Sequence, residues 1–528
     1  NDGNFHTLLR FKAYSGDHLH TSSLNATYIS PHIQNEIVNA CGAVIQRKLV
    51  GKIWDAKYFT VLADETTDIS GVEQLSVCVR YVEHQVIETA PFTAYSVRED
   101  FWGFVLIYDL TGRNMSDNIL KFLASVGDHG LKLSDMHGQG YDEASNMLGR
   151  VQDQYPTALY LHCMSHSLNL ALTKCCSVAA IRNFLGTVSD ICTFFQSSTQ
   201  CISILKEQVG KFLLQTKKVE QHDSLITFSE LLSPVAAALN HFIEHGHKEC
   251  SSRARQFCCA IGHSEFLVAL HCSAQVFSVS LPLSKYLQQE NCDITSALAY
   301  VCSVKDSIDE LQSDCDTTFC KVFEDVQSSA HILGEELQIP RLGRQQQHRP
   351  NHPAEDNAEQ YFRRSVYIPF LDYFLSELDC HFTAHSRVLS GFNSISPVYL
   401  AHGFTNLVKF YESDLDSESV VFAEIKLWGK WKNTAEKTKS VILALAQCDA
   451  LFYPNVHKLL QILVTLLVST ACPERSFSSL RRLKTYLHNM TTENQIVGLA
   501  LLNIHWDIPV NSNEVIDRLT THNQCLNL

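Results

Sequence analysis

Three acidic side chains lie where the chain could form a site for divalent metal ions. Asp64 follows a β-rich run, Asp142 follows a second such run, and Glu474 comes directly after Pro473 at the start of a late helix. A strand end holds a carboxylate rigidly while the loop beyond it leaves room for a substrate. Mg²⁺ and Mn²⁺ prefer such oxygen ligands. Two ions about 4 Å apart activate an attacking oxygen and stabilise the leaving oxygen of a phosphodiester.

The same three acids have a simpler interpretation. Aspartate and glutamate are common at strand ends and helix starts, where they act as capping groups or as solvated charge. Spacing alone therefore does not separate a metal site from ordinary surface acids, and both interpretations stay open on the residues alone.

The elements that position Asp64 and Asp142 are predicted strands in the first third of the chain. Tyr58–Ala63 is a short β-rich run, and Gln74–Val82 and Val86–Val97 alternate in polarity, so the three predict an antiparallel meander. Two further strands are predicted, over Leu131–Met136 and Ala158–His162. Helical spacing predicts one helix that begins at Pro31 and two more, over Asn114–Val126 and Ser167–Cys175.

The strand pattern fades after residue 175. Long amphipathic segments dominate residues 176–455, interrupted by a polar stretch, Arg341–Asn357, that is typical of a loop or linker. The sequence pattern at the end of the chain predicts three more helices, over Val456–Leu467, Pro473–Met490 and Thr492–Ile504. The second of them should have one buried face, because apolar residues recur there at steps of three and four: Phe477, Leu480, Leu483 and Leu487.

Composition excludes several classes of protein. The chain has 528 residues, of which 45% are hydrophobic and 19% charged, so it can bury a large core and is not generally disordered. Its net charge of −14 excludes a general cationic coat, so any contact with nucleic acid must come from local basic patches. The longest strongly apolar run, Leu459–Val468, is about half of what a bilayer span requires, which predicts no membrane insertion.

The cysteines indicate a reducing compartment. There are 19 of them, without any Cys-x-x-Cys spacing, and no secretory signal precedes them. Reduced thiols in the cytosol or nucleus are therefore expected. The sequence begins at Asn1 without an initiator methionine, from which we expect a fragment of a longer protein.

Four sequence blocks resemble those of the hAT superfamily of transposases. They are ADETTDIS (63–70), GQGYDEASNM (138–147), HCMSHSLNLA (162–171) and ACPERSFS (471–478), the last continued by GLALLNIH (498–505). The blocks follow in the family's order and span most of the chain. The sequence also resembles host proteins derived from these transposases that have THAP- or MYM-type zinc fingers.

This resemblance implies a fold and a metal site. The family has an α/β, RNase H-like catalytic domain. A large all-α insertion interrupts this domain, and the C-terminal helices, which form the dimerisation region, complete it. The matching domains here would be a helical segment (1–50), the first part of the RNase H-like core (51–175), the insertion (176–455) and the C-terminal region (456–528). Asp64, Asp142 and Glu474 would be the catalytic, metal-binding residues of a DNA cut-and-join reaction, with Mg²⁺ or Mn²⁺ as cofactor.

The resemblance also suggests residues that contact DNA. Cys163 and His166 match a family motif that approaches DNA near the active site, although a half-buried thiol and a helix-capping histidine are the alternative. A zinc site there would need two further ligands that the sequence does not show. Further along the chain, basic side chains could contact phosphates or form a solvated helix face: Lys217, Lys218, Arg475, Arg481 and Arg482.

Two departures from the family pattern bear on activity. Close relatives have a tryptophan that stacks on an exposed base, whereas the matching position here is Lys218, which cannot stack as an indole does. Relatives also usually have glycine where Glu143 stands, and an extra carboxylate beside Asp142 could perturb metal binding. These departures favour a transposase that its host has adopted, or one that is losing its activity, over a fully active transposase.

Two hypotheses of function follow. The first is a hAT transposase-like nuclear protein that binds DNA, forms a homodimer or higher homo-oligomer through its C-terminal helices and has a two-metal DNA cleavage and strand-transfer site. The alternative is a domesticated, catalytically inactive transcriptional regulator or protein-interaction scaffold. Neither hypothesis involves a membrane. In both, the apolar faces of the last helices must be buried against a second copy or against the rest of the chain.

Overall fold

The structure of the chain is a computed structural model. It describes residues 31–67, 71–85, 94–109, 111–125, 130–141, 149–209, 228–289, 292–340, 357–393, 404–434, 440–483 and 493–522. Within these residues the fold is mixed α/β, with mostly helices and one sheet. The chain divides into a sheet unit, made of Asn1–Cys163 with Gly391–Leu528, and a helical unit, Met164–Ser390.

The sheet unit contains five strands. They are β1 (Phe59–Thr67), β2 (Glu73–Gln85), β3 (Ala94–Ile107), β4 (Met136–Tyr141) and β5 (Leu159–Tyr160). Their order across the sheet is β3-β2-β1-β4-β5. The first three strands form an antiparallel meander, as predicted, but the third lies at Ala94–Ile107 instead of Val86–Val97; β4 is parallel to β1 and β5 is parallel to β4. Every residue of β2 from Gln74 to Val82 is buried, so the sheet is covered on both faces.

The position predicted for the fourth strand is wrong. Leu133–Asp135 forms a single 3₁₀ turn, and β4 begins only at Met136. The strand includes Gly138 and Gly140, and glycine is a poor strand former, so the local pattern did not extend into it. Close packing requires both glycines: a Cβ atom would overlap the Thr60 hydroxyl oxygen at position 138 and a Leu467 methyl at position 140.

Three helices accompany the sheet in the first part of the chain. They are α1 (Pro31–Ala56), α2 (Gly112–Ser125) and α3 (Arg150–Gln154). Helix α1 begins at Pro31, as predicted, because the fixed φ of proline suits the first helical position. Helix α2 confirms the helix predicted over Asn114–Val126, and it buries Met115, Ile119 and Leu123, which form one face at helical spacing.

The described residues of the helical unit contain no strand. Its helices are α4 (Met164–Cys175), α5 (Ala179–Gln196), α6 (Thr199–Val209), α7 (Leu232–His245), α8 (Lys248–Ile261), α9 (Ser264–Leu287), α10 (Ile294–Ser313), α11 (Cys315–Leu333), α12 (Ala358–Phe362) and α13 (Ile368–Asn393). A π-helical turn, Arg363–Tyr367, joins the last two. Helix α9 is the centre of this unit, because α4, α5, α8, α10 and α11 all pack against it.

Helix α9 is the one described helix that by length and composition could span a membrane. Most of its apolar surface is buried inside the helical unit, as in Leu267, Leu270 and Val276. The adjoining pair α4 and α5 reaches the same composition only if taken together, and the two helices bend by 108°. The core helix of a soluble protein has the same length and composition.

Seven helices complete the sheet unit. They are α14 (Phe404–Phe410), α15 (Glu418–Thr434), α16 (Val441–Gln447), α17 (Pro454–Thr465), α18 (Ala471–Leu483), α19 (Glu493–Ile504) and α20 (Ser512–His522). Helices α17, α18 and α19 pack on the sheet, and α19 and α20 pack on α1. The three predicted C-terminal helices correspond to α17, α18 and α19.

The buried face of α18 differs from the predicted one. The helix buries Pro473, Ser476, Ser479 and Leu480 against the sheet, while Phe477 and Leu483 are half-buried. Small polar residues line this face because the helix lies close to strands β1 and β2. Leu487, the last residue of the predicted stripe, lies outside the described residues.

The two units differ in extent from the predicted domains, whose boundaries stay a prediction. The sheet unit ends its first part at Cys163 and resumes at Gly391, whereas the sequence pattern placed these changes at 175 and 456. Helix α16, which lies within the predicted insertion, packs on β3, and α17 packs on β2.

Candidate functional site

Asp64 lies within β1 rather than after it. The strand continues to Thr67 because Asp64, Glu65, Thr66 and Thr67 pair in register with Ser76, Leu75, Gln74 and Glu73 of β2. The Asp64 side chain is half-buried, and its Oδ1 accepts a hydrogen bond of 2.9 Å from the Glu65 N–H. The prediction of a strand end at Asp64 is therefore wrong by three residues, because β2 extends the pairing beyond the apolar run.

Glu474 lies in the first turn of α18, as predicted, and its side chain is exposed. The helix begins at Ala471, so Pro473 is its third residue, where its missing N–H is still not needed for the helix. The Glu474 N–H donates to the Thr470 carbonyl over 3.2 Å. A negative side chain in this turn is favoured by the helix dipole, whether or not a metal ion is present.

The packing of α18 on the sheet brings the elements of these two acids together. Ser76 is the cross-strand neighbour of Asp64, so both side chains point to the same face of the sheet. On that face the Ser76 hydroxyl hydrogen-bonds with the Ser476 hydroxyl over 2.7 Å, and Ser476 follows Glu474 by two residues. Helix α18 therefore covers the part of the sheet from which the Asp64 side chain projects.

Asp142, the third predicted ligand, lies outside the described residues. Tyr141, which precedes it, is the last described residue of β4 and pairs with Ala63, the residue before Asp64. Among the described residues no group of three or more His, Cys, Asp or Glu side chains is arranged to hold a metal ion. Since this set lacks Asp142, the metal triad and its Mg²⁺ or Mn²⁺ stay a prediction.

Cys163 has a structural contact where the sequence suggested a contact with DNA. Its side chain is fully buried, and its sulfur accepts a hydrogen bond of 3.3 Å from the Thr470 N–H, one residue before α18. This contact holds the segment that leads into α18, and a contact of Cys163 with DNA stays a prediction. His166, the other half of the motif, is half-buried in the first turn of α4.

The predicted basic contacts divide into two groups. Lys217 and Lys218 lie outside the described residues. Arg475, Arg481 and Arg482 are exposed on α18, opposite the face that packs on the sheet, and the Arg482 guanidinium donates to the Ser479 hydroxyl over 3.3 Å. The arginines are thus accessible to a phosphate backbone, and their contact with DNA stays a prediction.

A buried ion pair lies behind the site and was missed by sequence reasoning. The Arg80 guanidinium donates to the Glu99 carboxylate over 2.6 Å and to the Val464 carbonyl over 3.2 Å. Arg80 is 1% exposed and Glu99 7% exposed. The pair fixes the end of α17 on the sheet. Ser76, Cys78 and Arg80 alternate with apolar residues along β2, and this period of two was the available signal for a polar face.

A second buried polar pair joins β4 to the segment after α14. His137 is 1% exposed; its Nε2 lies 2.8 Å from an Asp414 carboxylate oxygen and its Nδ1 lies 3.0 Å from the Asp135 carbonyl oxygen. Burial raises the pKa of Asp414, but the hydrogen bond and charge of His137 outweigh it, and the net pKa is lowered from 3.8.

Comparison with known proteins agrees with this architecture. Residues 1–152 match the family model of the ZMYM1/FAM200 RNase-like domain, and residues 423–508 match that of the hAT family C-terminal dimerisation region. The first match contains Asp64 and Asp142, and the second contains Glu474. The chain is therefore similar to hAT transposases in its C-terminal region and to ZMYM1/FAM200 RNase-like domains in its first part. The first hAT-like block and the C-terminal block thus lie in two matched regions that the structure folds into one unit.

Two further proteins are similar to almost the whole of this chain. Both are described as the 52 kDa repressor of the inhibitor of the protein kinase, one from Homo sapiens and one from Mus musculus. The human protein is 26% identical over 553 residues, which cover 97% of this chain and 71% of the relative. The mouse protein is 26% identical over 554 residues, with the same two coverages.

Proposed function

We propose that the hAT-like chain is a domesticated transposase-like regulator that associates with a second copy of itself and binds DNA in the nucleus. One observation supports self-association most directly: the region that matches the family's dimerisation region has large apolar side chains on its surface. Leu451 is 94% exposed, Phe452 68% and Trp506 83%. The regulatory role is supported by two relatives whose names describe them as repressors.

Leu451 and Phe452 form the most exposed apolar pair of this region. They lie in the turn between α16 and α17, where the buried Tyr453 anchors the turn against Trp428 of α15. Leu443 of α16 and Leu427 of α15 are each 53% exposed on the neighbouring helices. Exposed apolar residues gain stability when a partner covers them, and the centre of a homodimer interface is typically apolar.

Light scattering on the purified chain tests self-association. We expect a mass near twice 59.5 kDa, and a return to the monomer mass when Leu451→Ser and Phe452→Ser are combined. Tyr108→Ser is the matched control, because Tyr108 is 85% exposed but lies outside the matched dimerisation region. A monomeric parent chain, or a dimer that neither apolar substitution weakens, would refute this surface.

A second candidate function is residual metal-dependent cleavage of DNA. It is supported by the order of the two units along the chain, because an RNase H-like core interrupted by an insertion would have its halves on either side of residues 164–390. It is also supported by the packing of the Glu474 helix on the face to which Asp64 points. Together with Asp142 these carboxylates offer the hard oxygen ligands that Mg²⁺ and Mn²⁺ prefer. When bound, such ions would activate water or a 3′-hydroxyl.

Nicking of supercoiled plasmid DNA in Mg²⁺ or Mn²⁺ separates the regulator from the enzyme. Cleavage that is lost in Asp64→Asn and in Glu474→Gln, but kept in Asp55→Asn, supports the enzyme; Asp55 is an exposed acid near the end of α1. A chain that binds DNA but leaves it intact with either metal supports the regulator.

The nuclear location follows from the proposed DNA partner. Microscopy of a fluorescent fusion of the chain tests it, with the free fluorescent protein as control. Exclusion of the fusion from the nucleus would contradict a role on chromosomal DNA.

A further inference from the structure

The chain from the end of α17 through the first turns of α18 crosses the sheet along one row of β2 side chains. Arg80 contacts the Val464 carbonyl, and Ser76 contacts the Ser476 hydroxyl. Cys78 lies between Arg80 and Ser76 on the same face of β2, because side chains two residues apart along a strand share a face. In the same way, Cys472 lies between Val464 and Ser476 along the crossing segment. The two cysteines are therefore brought to the same place.

The contacts of the two thiols agree with this placement. The Cys472 thiol donates to the Glu99 carbonyl of β3 over 3.3 Å, and Glu99 is the register partner of Arg80, two residues from Cys78. Burial raises the pKa of the fully buried Cys78 thiol, and a hydrogen bond with the Cys472 thiol raises it further. Cys472 is only partly buried, so a small oxidant can reach it from solvent.

We propose that Cys78 and Cys472 form an oxidative modification site, at which hydrogen peroxide produces an intramolecular disulfide. The Cys472 thiolate attacks one peroxide oxygen, breaks the O–O bond and becomes a sulfenic acid as hydroxide leaves. The sulfur of Cys78, after losing its proton, then attacks the sulfenic sulfur, forms the S–S bond and displaces a second hydroxide. The two thiols are oxidised, and one peroxide is reduced to two molecules of water.

The disulfide would tie the first turn of α18 to the middle of the sheet. Cys472 precedes Glu474 by two residues, and Cys78 follows Ser76, the cross-strand neighbour of Asp64, by two residues. The link would close a loop of almost 400 residues, which restricts the unfolded chain strongly. In a reducing compartment the bond would form only under oxidant and be reversed afterwards.

Peptide mapping tests the site on the full chain. The folded protein is treated with hydrogen peroxide, its remaining thiols are alkylated, and trypsin is added without a reductant. The two cysteines then lie in separate tryptic peptides, 58–80 and 459–475, each with a single cysteine. We expect the linked pair of these two peptides to be at least tenfold more abundant than any other cysteine cross-link, and to disappear after dithiothreitol.

Two variants distinguish this site from general oxidation. Cys472→Ser should abolish the linked pair and leave Cys78 unmodified by peroxide, whereas Cys192→Ser, at an exposed cysteine of α5, should leave the pair at its parent level. The map of the parent chain decides the matter even if Cys472→Ser does not fold. Oxidation of Cys472 to a sulfinic acid without the linked pair, or linkage of Cys78 to another cysteine, would overturn the proposal.

Discussion

The Ser76 hydroxyl lies 2.7 Å from the Ser476 hydroxyl, although 400 residues separate the two along the chain. Their hydrogen bond is buried between β2 and α18, and it marks where the first and last parts of the sheet unit meet. The helical unit lies between these parts in sequence, so the strand of Asp64 and the helix of Glu474 become neighbours only in the folded chain.

The buried pair of Arg80 and Glu99 should be a large determinant of stability. Glu99→Gln leaves the Arg80 charge buried without its carboxylate, and we expect the free energy of unfolding of the sheet unit to fall by about 3–5 kcal/mol. Tryptophan fluorescence in urea measures it selectively, because all five tryptophans belong to the sheet unit: Trp54, Trp102, Trp428, Trp431 and Trp506.

An exposed ion pair provides the control for this measurement. Lys48 and Glu514 lie 2.8 Å apart with side chains 31% and 39% exposed, so solvent screens the pair and Glu514→Gln should lower the free energy of unfolding far less than Glu99→Gln. Equal effects of Glu99→Gln and Glu514→Gln would show that burial does not strengthen the Arg80 pair.

Gly140→Ala should destabilise the sheet unit through a single methyl group. The new Cβ would overlap a Leu467 methyl. The shift of neighbouring atoms that avoids this clash should lower the free energy of unfolding by about 1–3 kcal/mol. Gly51→Ala is the matched control, since a Cβ there meets no atom within 4 Å in α1 and alanine should stabilise that helix by about 0.5–1 kcal/mol. Both are measured by urea unfolding, and Leu467→Ala should partly rescue Gly140→Ala if the clash is the cause.

Asp414 should make the stability of the sheet unit depend on pH in the acid range. Its folded pKa lies below its ordinary value of 3.8, so its contribution is fully present above about pH 5 and is lost as the pH falls through the folded pKa. The melting temperature of Asp414→Asn should lie below that of the parent chain at pH 7, and the difference should narrow as the pH falls below 3.8. Asp507→Asn, at an exposed acid, should follow the parent at both pH values.

The arginines of α18 should contribute to DNA affinity without sequence preference. Replacing Arg475, Arg481 and Arg482 by glutamine should weaken binding to any duplex and make the slope of log K against log salt less negative by about 0.9 for each phosphate that is no longer neutralised. Fluorescence anisotropy from 50 to about 200 mM salt measures both quantities. Arg255→Gln, at an exposed arginine of α8, is the control and should leave the slope unchanged. An unchanged slope in the triple variant would assign these arginines to a solvated helix face.

Local patterns predicted the elements better than their contacts. The meander, helix α2 and the C-terminal helices follow from alternation and helical spacing over neighbouring residues. The start of β4 does not follow from the local pattern. Gly138 and Gly140 are poor strand formers, and they lie in this strand because the close contacts with Thr60 and Leu467 leave no room for a Cβ atom. Likewise, the extension of β1 past Asp64 depends on pairing with β2, and the burial of Cys163 depends on Thr470, which is 307 residues away.

The candidate site was predicted mainly through family resemblance. The blocks around Asp64, Asp142 and Glu474 lie in the regions that match two family models, and the structure places Glu474 in the expected helical turn. The buried partners behind the site, Arg80 with Glu99 and Cys78 with Cys472, have no local signature beyond alternate polar residues in β2. Such pairs become visible only when the distant segment that covers them is known.

The packing of α1 against α19 and α20 has a consequence for synthesis of the protein. A ribosome makes α1 more than four hundred residues before it makes those two helices, so the nascent α1 has an uncovered apolar side during most of translation. The central helices can close around α9 in that interval, whereas the sheet unit can form completely only after α19 and α20 have been synthesised. We therefore expect chaperones to bind mainly α1 and the strands that are synthesised soon after it.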